Sequence, residues 1–160
     1  YKRQEMGWLL MTPHEVAEIA FRGAEAVDGS LIGEAPIVTA QYKFVRPVLG
    51  GLCGAMLEGR YAELLDGYVK APLAHYVKWL VLPRLSVQCG AIGTVQFRGE
   101  CFTAADGGSL AALRRQVKSD AQALMMRAVE RIESSPGEFP EYDPERNVLR
   151  RVRLLGDWVL

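Results

Sequence analysis

Apolar residues recur along most of this chain at helical spacing, and the polar residues between them mark where helices start and stop. The first start is the clearest. Thr12-Pro13-His14-Glu15 places a hydroxyl at the cap, a proline at the first helical position and a glutamate three residues past the cap. Thr12 can accept from the Glu15 N–H while the Glu15 carboxylate reaches back to the Thr12 N–H. Met11 and Val16 then stand at the two positions of a hydrophobic staple. Val16, Ile19 and Ala20 share one face, and Gly23 is a suitable terminator. A polar connection over 25–30 leads to a second predicted helix over 34–49, with Ile37, Ala40, Phe44 and Val48 on one stripe. Pro36 falls in its first turn, Pro47 should kink or end it, and Gly50-Gly51 stops it. A short helix over 52–58 and another helical turn over 61–65 follow.

The most apolar element spans 68–87. Val69, Leu73, Tyr76, Val77, Leu80, Val81 and Leu85 lie on every side of it, and Pro72 and Pro83 should bend or punctuate it. Around 90–108 the pattern changes. Glycines punctuate the run, and Thr94-Val95-Gln96-Phe97 and Cys101-Phe102-Thr103 read as short strands joined by Arg98-Gly99-Glu100, which predicts a projecting β-hairpin or loop. The longest helix is predicted over 109–134, with Leu110, Leu113, Val117, Ala121, Leu124, Ala128 and Ile132 in one stripe. Two prolines with aromatic residues between them, Phe139-Pro140-Glu141-Tyr142-Asp143-Pro144, favour an extended, docked segment. The expected fold is therefore all-α, mainly a helical bundle, with a projection around 90–108 and an extended C-terminal tail. The expected organisation is a leader over 1–10 that is non-native or disordered, a helical domain over 11–137 and the tail over 138–160. Tyr1-Lys2-Arg3-Gln4 in particular reads as translated adapter sequence.

Composition narrows the function classes. Nineteen basic residues balance nineteen acidic ones, which argues against a dedicated nucleic-acid or anionic-membrane binder. Three widely spaced cysteines, Cys53, Cys89 and Cys101, form neither a disulfide framework nor a zinc pattern. The most apolar run is interrupted by Lys78, Pro83 and Arg84, so no membrane span is expected.

Candidate chemistry is sparse. The chain has two histidines, His14 and His75, and neither has a second ligand at metal spacing. His14-Glu15 does not extend to H-E-x-x-H, because Glu18 holds the last position. Cys53, between Leu52 and Gly54, superficially resembles a nucleophile in a tight turn but lacks an evident base. Gly90-Ala91-Ile92-Gly93-Thr94 lacks the ending of a phosphate loop. No catalytic residue, cofactor, metal or small-molecule substrate is expected. The basic cluster of Arg114, Arg115 and Lys118 admits two readings: a face turned to DNA phosphates, or a solvated face with intersubunit ion pairs. Arg150-Arg151-Val152-Arg153 carries the same ambiguity.

The order of several segments resembles a group of small phage and prophage proteins. They are Val27-Asp28-Gly29-Ser30-Leu31-Ile32, Ala40-Gln41-Tyr42-Lys43-Phe44-Val45-Arg46-Pro47, Tyr68-Val69-Lys70-Ala71-Pro72-Leu73, Leu82-Pro83-Arg84-Leu85, Ala112-Leu113-Arg114-Arg115-Gln116 and Glu138-Phe139-Pro140-Glu141-Tyr142. The likeness runs from about Thr12 to Asn147 and contains no catalytic motif. That group is similar, more distantly, to the head–tail connector or head-completion proteins of tailed phages. The resemblance implies a helical bundle with a projecting loop, assembled as a homo-oligomeric ring at the portal, with portal and tail-side neck proteins as partners. It implies a place in the virion, after assembly in the bacterial cytoplasm, and at most non-specific contact with packaged DNA. A zero net charge suits a channel through which DNA slides.

A ring needs two different adhesive surfaces on each subunit. Position and composition nominate Phe97 and Phe102 on the projection, and Leu149, Leu154, Leu155 and Trp158 in the tail. The alternative is a helical DNA-binding or regulatory protein that uses Arg114, Arg115 and Lys118.

Overall fold

A helix with apolar side chains all round is stable in water only where neighbours cover it. In the computed structural model, which describes residues 7–22, 27–92 and 107–150, that helix is α7 (Lys70–Ile92). Three elements wrap it: α1 (Pro13–Ala20), α3 (Ala35–Ala40) and α8 (Gly107–Glu133). Leu73, Ala74, Tyr76, Val77, Val81, Leu82 and Leu85 of α7 are buried against Val16 and Ala20, Ile37 and Ala40, and Val117, Ala121, Met125 and Ile132. The remaining helices are α2 (Gly29–Ile32), α4 (Arg46–Leu49), α5 (Gly51–Leu57) and α6 (Ala62–Leu64), with a 3₁₀ turn at Pro144–Arg146. The all-α expectation holds for the described residues, which contain no strand.

The charged residues of α7 fasten the first helices. The capping box of α1 forms as the spacing predicts: the Glu15 N–H donates to Thr12 Oγ1 at 3.2 Å, and the Thr12 N–H donates to Glu15 Oε2 at 2.8 Å. The other oxygen of that carboxylate, Oε1, accepts from Lys70 Nζ at 2.8 Å, and Lys70 also pairs with Asp66 at 2.8 Å. About two turns further along α7, buried Lys78 donates to the Ala20 carbonyl at 3.0 Å and lies over the Phe21 ring. It thereby satisfies a carbonyl that the end of α1 leaves open. Arg84 does the same for α2, donating to Leu31 O at 2.7 Å and Ile32 O at 2.9 Å.

Two prolines predicted to break helices are instead accommodated by wide turns. A π-turn over Gln41–Val45 closes with the Arg46 N–H on the Gln41 carbonyl, and Pro47 then lies in the first turn of α4. A second π-turn over Leu65–Val69 closes with the Lys70 N–H on the Leu65 carbonyl, and Pro72 lies in the first turn of α7. In each case the residue without an N–H sits where the ladder needs none. The predicted segments over 34–49 and over 61–87 are therefore each continuous helical runs, interrupted only by a π-turn. Pro83 does not end α7, which continues to Ile92.

Several expectations are corrected. The 1–10 leader does not stand outside the fold over its described part, because Leu9 and Leu10 are buried in the core. Buried Gln41 clamps that segment: its Oε1 accepts from the Leu10 N–H at 2.7 Å and its Nε2 donates to the Trp8 carbonyl at 3.0 Å. The 25–30 connection contains the start of α2, capped by the Asp28 carboxylate on the Ser30 N–H at 2.7 Å. At the edges of the predicted 90–108 projection, α7 extends to Ile92 and α8 begins at Gly107; the predicted strands at 94–97 and 101–103 lie outside the described residues. Along α8 it is Met125, and not Leu124, that is fully buried.

Two glycines predict opposite responses. A Cβ on Gly29 would stand 2.9 Å from the His14 nitrogen and 3.0 Å from its Cα, both main-chain atoms of α1. Gly29→Ala is expected to cost about 1–3 kcal/mol by forcing α1 and α2 apart. Gly54, exposed inside α5, would meet nothing within 4 Å, so Gly54→Ala should raise stability by about 1 kcal/mol through helix propensity. Thermal unfolding of the two variants checks both signs.

The Glu15 junction predicts an acid limb. Burial alone would raise the Glu15 pKa, but the Lys70 hydrogen bond, the Thr12 N–H and the Lys70 charge outweigh it and hold the carboxyl below its ordinary value. A depressed folded-state pKa contributes stability above the unfolded value, and that contribution is lost as pH falls through the folded value. Urea midpoints should therefore fall with acidification below the ordinary carboxylate range, and fall less in Glu15→Gln.

Candidate functional site

Arg114, Arg115 and Lys118 were the basic cluster singled out in the sequence, and α8 separates their roles. Arg114 donates from Nε to the Trp79 carbonyl at 3.3 Å, and its guanidinium lies 4.5 Å from the centre of the Trp79 ring. Lys118 Nζ lies 5.0 Å from the same ring. Trp79 in turn meets Phe44 edge to face at 6.0 Å, and Phe44 stacks on Tyr76 at 4.2 Å. Two of the three cations are thus engaged in an aromatic seam that joins α8 to α7 and the first π-turn. Arg115 alone is exposed.

The seam continues towards the other end of α8. Arg127 lies over Tyr68 at 4.7 Å and Arg131 over Phe139 at 5.5 Å. Phe139 is buried and anchors the segment that follows α8. Tyr61, the only residue other than glycine with a positive φ among those described, packs edge to face on Phe139 at 5.2 Å and donates from its hydroxyl to Glu141 at 2.7 Å. That hydroxyl, with the adjacent main chain and the Arg60 guanidinium, holds the Glu141 carboxyl below the ordinary range. Further along, Tyr142 donates to Glu133 at 2.8 Å, Asn147 Nδ2 donates to the Tyr142 oxygen at 2.9 Å, and the Leu149 N–H donates to Asn147 Oδ1 at 2.9 Å. Burial is the first cause, and the Glu133 charge a further one, that push the Tyr142 hydroxyl up to about 12. The segment over 138–150 is therefore pinned to α8 and to Arg60 and Tyr61 between α5 and α6, with its buried side-chain polar atoms satisfied among the described residues.

This pinned segment separates two concave surfaces. On one side a groove of about 690 Å³ lies between the first π-turn, α5 and Val148, with Trp8 and Tyr42 on its walls and Arg46 and Arg146 along it. Among the described residues no carboxylate lines it. Tyr42 is 60% exposed and Trp8 50%, and the Arg46 guanidinium lies 5.1 Å from the Tyr42 ring centre. On the other side a hollow of about 330 Å³ is lined by Met126, Val129 and Leu149, together with Glu130, Glu133 and Arg150. The large hydrophobic side chains most exposed among the described residues are Trp8, Tyr42, Met126 and Val148. All four line one or other of these two surfaces.

Of the interface candidates nominated by sequence, Leu149 lines the hollow, while Phe97, Phe102, Leu154, Leu155 and Trp158 lie outside the described residues. Trp8, Tyr42, Arg46 and Met126 were not nominated. Tyr42 carried a readable signal, since it stands off the Ile37–Ala40–Phe44–Val48 stripe and must face outward. Met126 carried one too, because adjacent Met125 and Met126 cannot both face α7.

Other chemistry is limited. Cys53 is buried, and burial, only partly offset by Arg46, pushes its thiol up, so it stays protonated at neutral pH. His14 is exposed and pairs with Glu18 at 3.1 Å; His75 Nδ1 lies 2.8 Å from the Ala71 carbonyl. Among the described residues no cluster of metal-ligating side chains occurs, and no helix is long and apolar enough to cross a membrane.

Residues 42–151 match the model of a family of unknown function, DUF6712, and the chain belongs to that family. No curated protein and no solved structure matches it.

The geometry of the seam separates structural cations from free ones. Arg114→Ala and Lys118→Ala should each lower stability by about 0.5–1 kcal/mol through loss of the Trp79 contact, while Arg115→Ala leaves it unchanged. Denaturant titration of the three variants tests this assignment.

Proposed function

We propose that this member of the family is a structural subunit of a tailed-phage virion, a head–tail connector or head-completion protein that assembles as a ring at the portal. The observation that carries the reading is the gathering of its exposed large hydrophobic side chains onto two surfaces, one on each side of a pinned C-terminal segment. Contiguous exposed apolar surface marks protein–protein contact, and a ring subunit requires two such surfaces of different character. The resemblance of six ordered segments to phage and prophage proteins supports the same reading. So does the all-α architecture with a long buried helix at its centre.

The DNA-binding alternative would rest on Arg114, Arg115 and Lys118. Two of those cations already lie on Trp79, which leaves Arg115 as the exposed charge of the cluster. The connector reading is therefore the better supported of the two.

The test is assembly with the portal protein encoded at the same locus. Purified together and viewed by cryo-electron microscopy, the two proteins are expected to form a portal with an added ring of this chain. Absence of any association by size-exclusion and microscopy would overturn the reading, and salt-sensitive DNA binding abolished by Arg115→Ala would favour the alternative.

A further inference from the structure

The two surfaces differ in shape and in charge, and the differences match. The groove side presents exposed aromatic side chains, Tyr42 and Trp8, beside a cation. The far side presents an apolar hollow large enough for an aromatic ring, with carboxylates in its lining. The charges at each are unequal in availability. Arg146 pairs with Asp143 at 3.4 Å, whereas Arg46 lies over the Tyr42 ring and has no acidic partner among the described residues. Glu133 accepts from the Tyr142 hydroxyl, whereas Glu130 has no basic side-chain partner among the described residues. The hollow carries two carboxylates, Glu130 and Glu133, against one cation, Arg150, while the described lining of the groove carries Arg46 and Arg146, so the two surfaces differ in net sign.

We infer that these surfaces bind each other in successive copies of this chain: Tyr42, with Trp8 beside it, enters the Met126–Val129–Leu149 hollow of the next copy, and Arg46 pairs with that copy's Glu130. The inference rests on the ring-subunit reading and names the contact by which the ring would close. An exposed apolar side chain on one face and a fitting hollow on another make a head-to-tail contact, which propagates into a closed ring or an open filament. Methionine suits such a hollow, because its flexible thioether adapts to an aromatic ring. The ion pair sets register, since a copy docked the wrong way would place Arg46 against Arg150.

The contact makes a prediction that only a head-to-tail interface satisfies. Sedimentation velocity of the full chain at low salt should show association that grows with concentration and weakens with added salt. Arg46→Glu and Glu130→Arg, both at exposed positions, should each weaken association by roughly tenfold or more, with unchanged circular dichroism. An equimolar mixture of the two single variants should regain association and pass beyond the dimer. The intact hollow of the Arg46→Glu copy receives the intact aromatic face of the Glu130→Arg copy, and the two remaining surfaces carry the exchanged charges and attract each other. The double variant, with the charges exchanged, should regain association. A wild-type chain that stays monomeric up to millimolar concentration would overturn the inference, as would single variants that associate like the wild type or a mixture that behaves like its components. Portal binding, measured separately, tells the two levels apart: a chain that joins the portal yet fails these assays refutes the contact and leaves the connector reading intact.

Discussion

Everything in this fold answers to the need to cover α7. A helix apolar on one face needs one neighbour, but α7 buries Leu73, Tyr76, Val77, Val81 and Leu85 around most of its circumference and so needs several. α1, α3 and α8 supply them. The few polar groups of α7 then become valuable, because they lie beside helix ends that have unsatisfied main-chain groups. Lys78 and Arg84 take the terminal carbonyls of α1 and α2, and Lys70 takes the carboxylate that caps α1. A charge on a core helix is normally a liability; here it fixes the position of the wrapping elements.

The same constraint explains which features could be read from sequence. Local rules were sufficient where a few adjacent residues decide the outcome. The Thr12–Glu15 capping box, the stop at Gly50-Gly51 and the length of α8 follow from cap chemistry and periodicity alone. Local rules were not sufficient where an element's environment decides. Pro47 and Pro72 look like breakers because a straight α-helix cannot hold them. The chain keeps both runs helical by opening one wide turn upstream, and burial of Val45 and Val69 at those turns rewards continuity over interruption. Leu9 and Leu10 look like a leader because no periodic element surrounds them. Their place depends on Gln41, more than thirty residues away.

The candidate surfaces were only half legible for a related reason. Sequence patterns report what points inward, since inward residues must obey the helix period. Outward residues obey no period, so an exposed aromatic such as Tyr42 looks like any residue off the stripe. The basic cluster at Arg114, Arg115 and Lys118 shows the converse. It reads as a free charged face, yet Trp79, far away in sequence, draws two of its three members into a seam. Charge runs therefore mislead when an aromatic ring on a neighbouring helix lies within reach.

What remains outward after the core is satisfied carries the functional argument. Among the described residues Tyr42 and Trp8 stand exposed, Met126 follows a methionine that already fills the core position, and Arg46 and Glu130 have no side-chain partner of opposite charge. The folded chain would gain from burying each of them, and it has left them on two surfaces separated by a segment that several hydrogen bonds hold in place. A rigid spacer between two adhesive faces fixes the angle at which a third body can be added. That is the property that distinguishes a subunit built for a closed assembly from one that merely aggregates, because closure depends on the same rotation being repeated at each contact. On the proposed ring, the hydrogen bonds of Tyr142 and Asn147 would bear on assembly geometry as well as on stability.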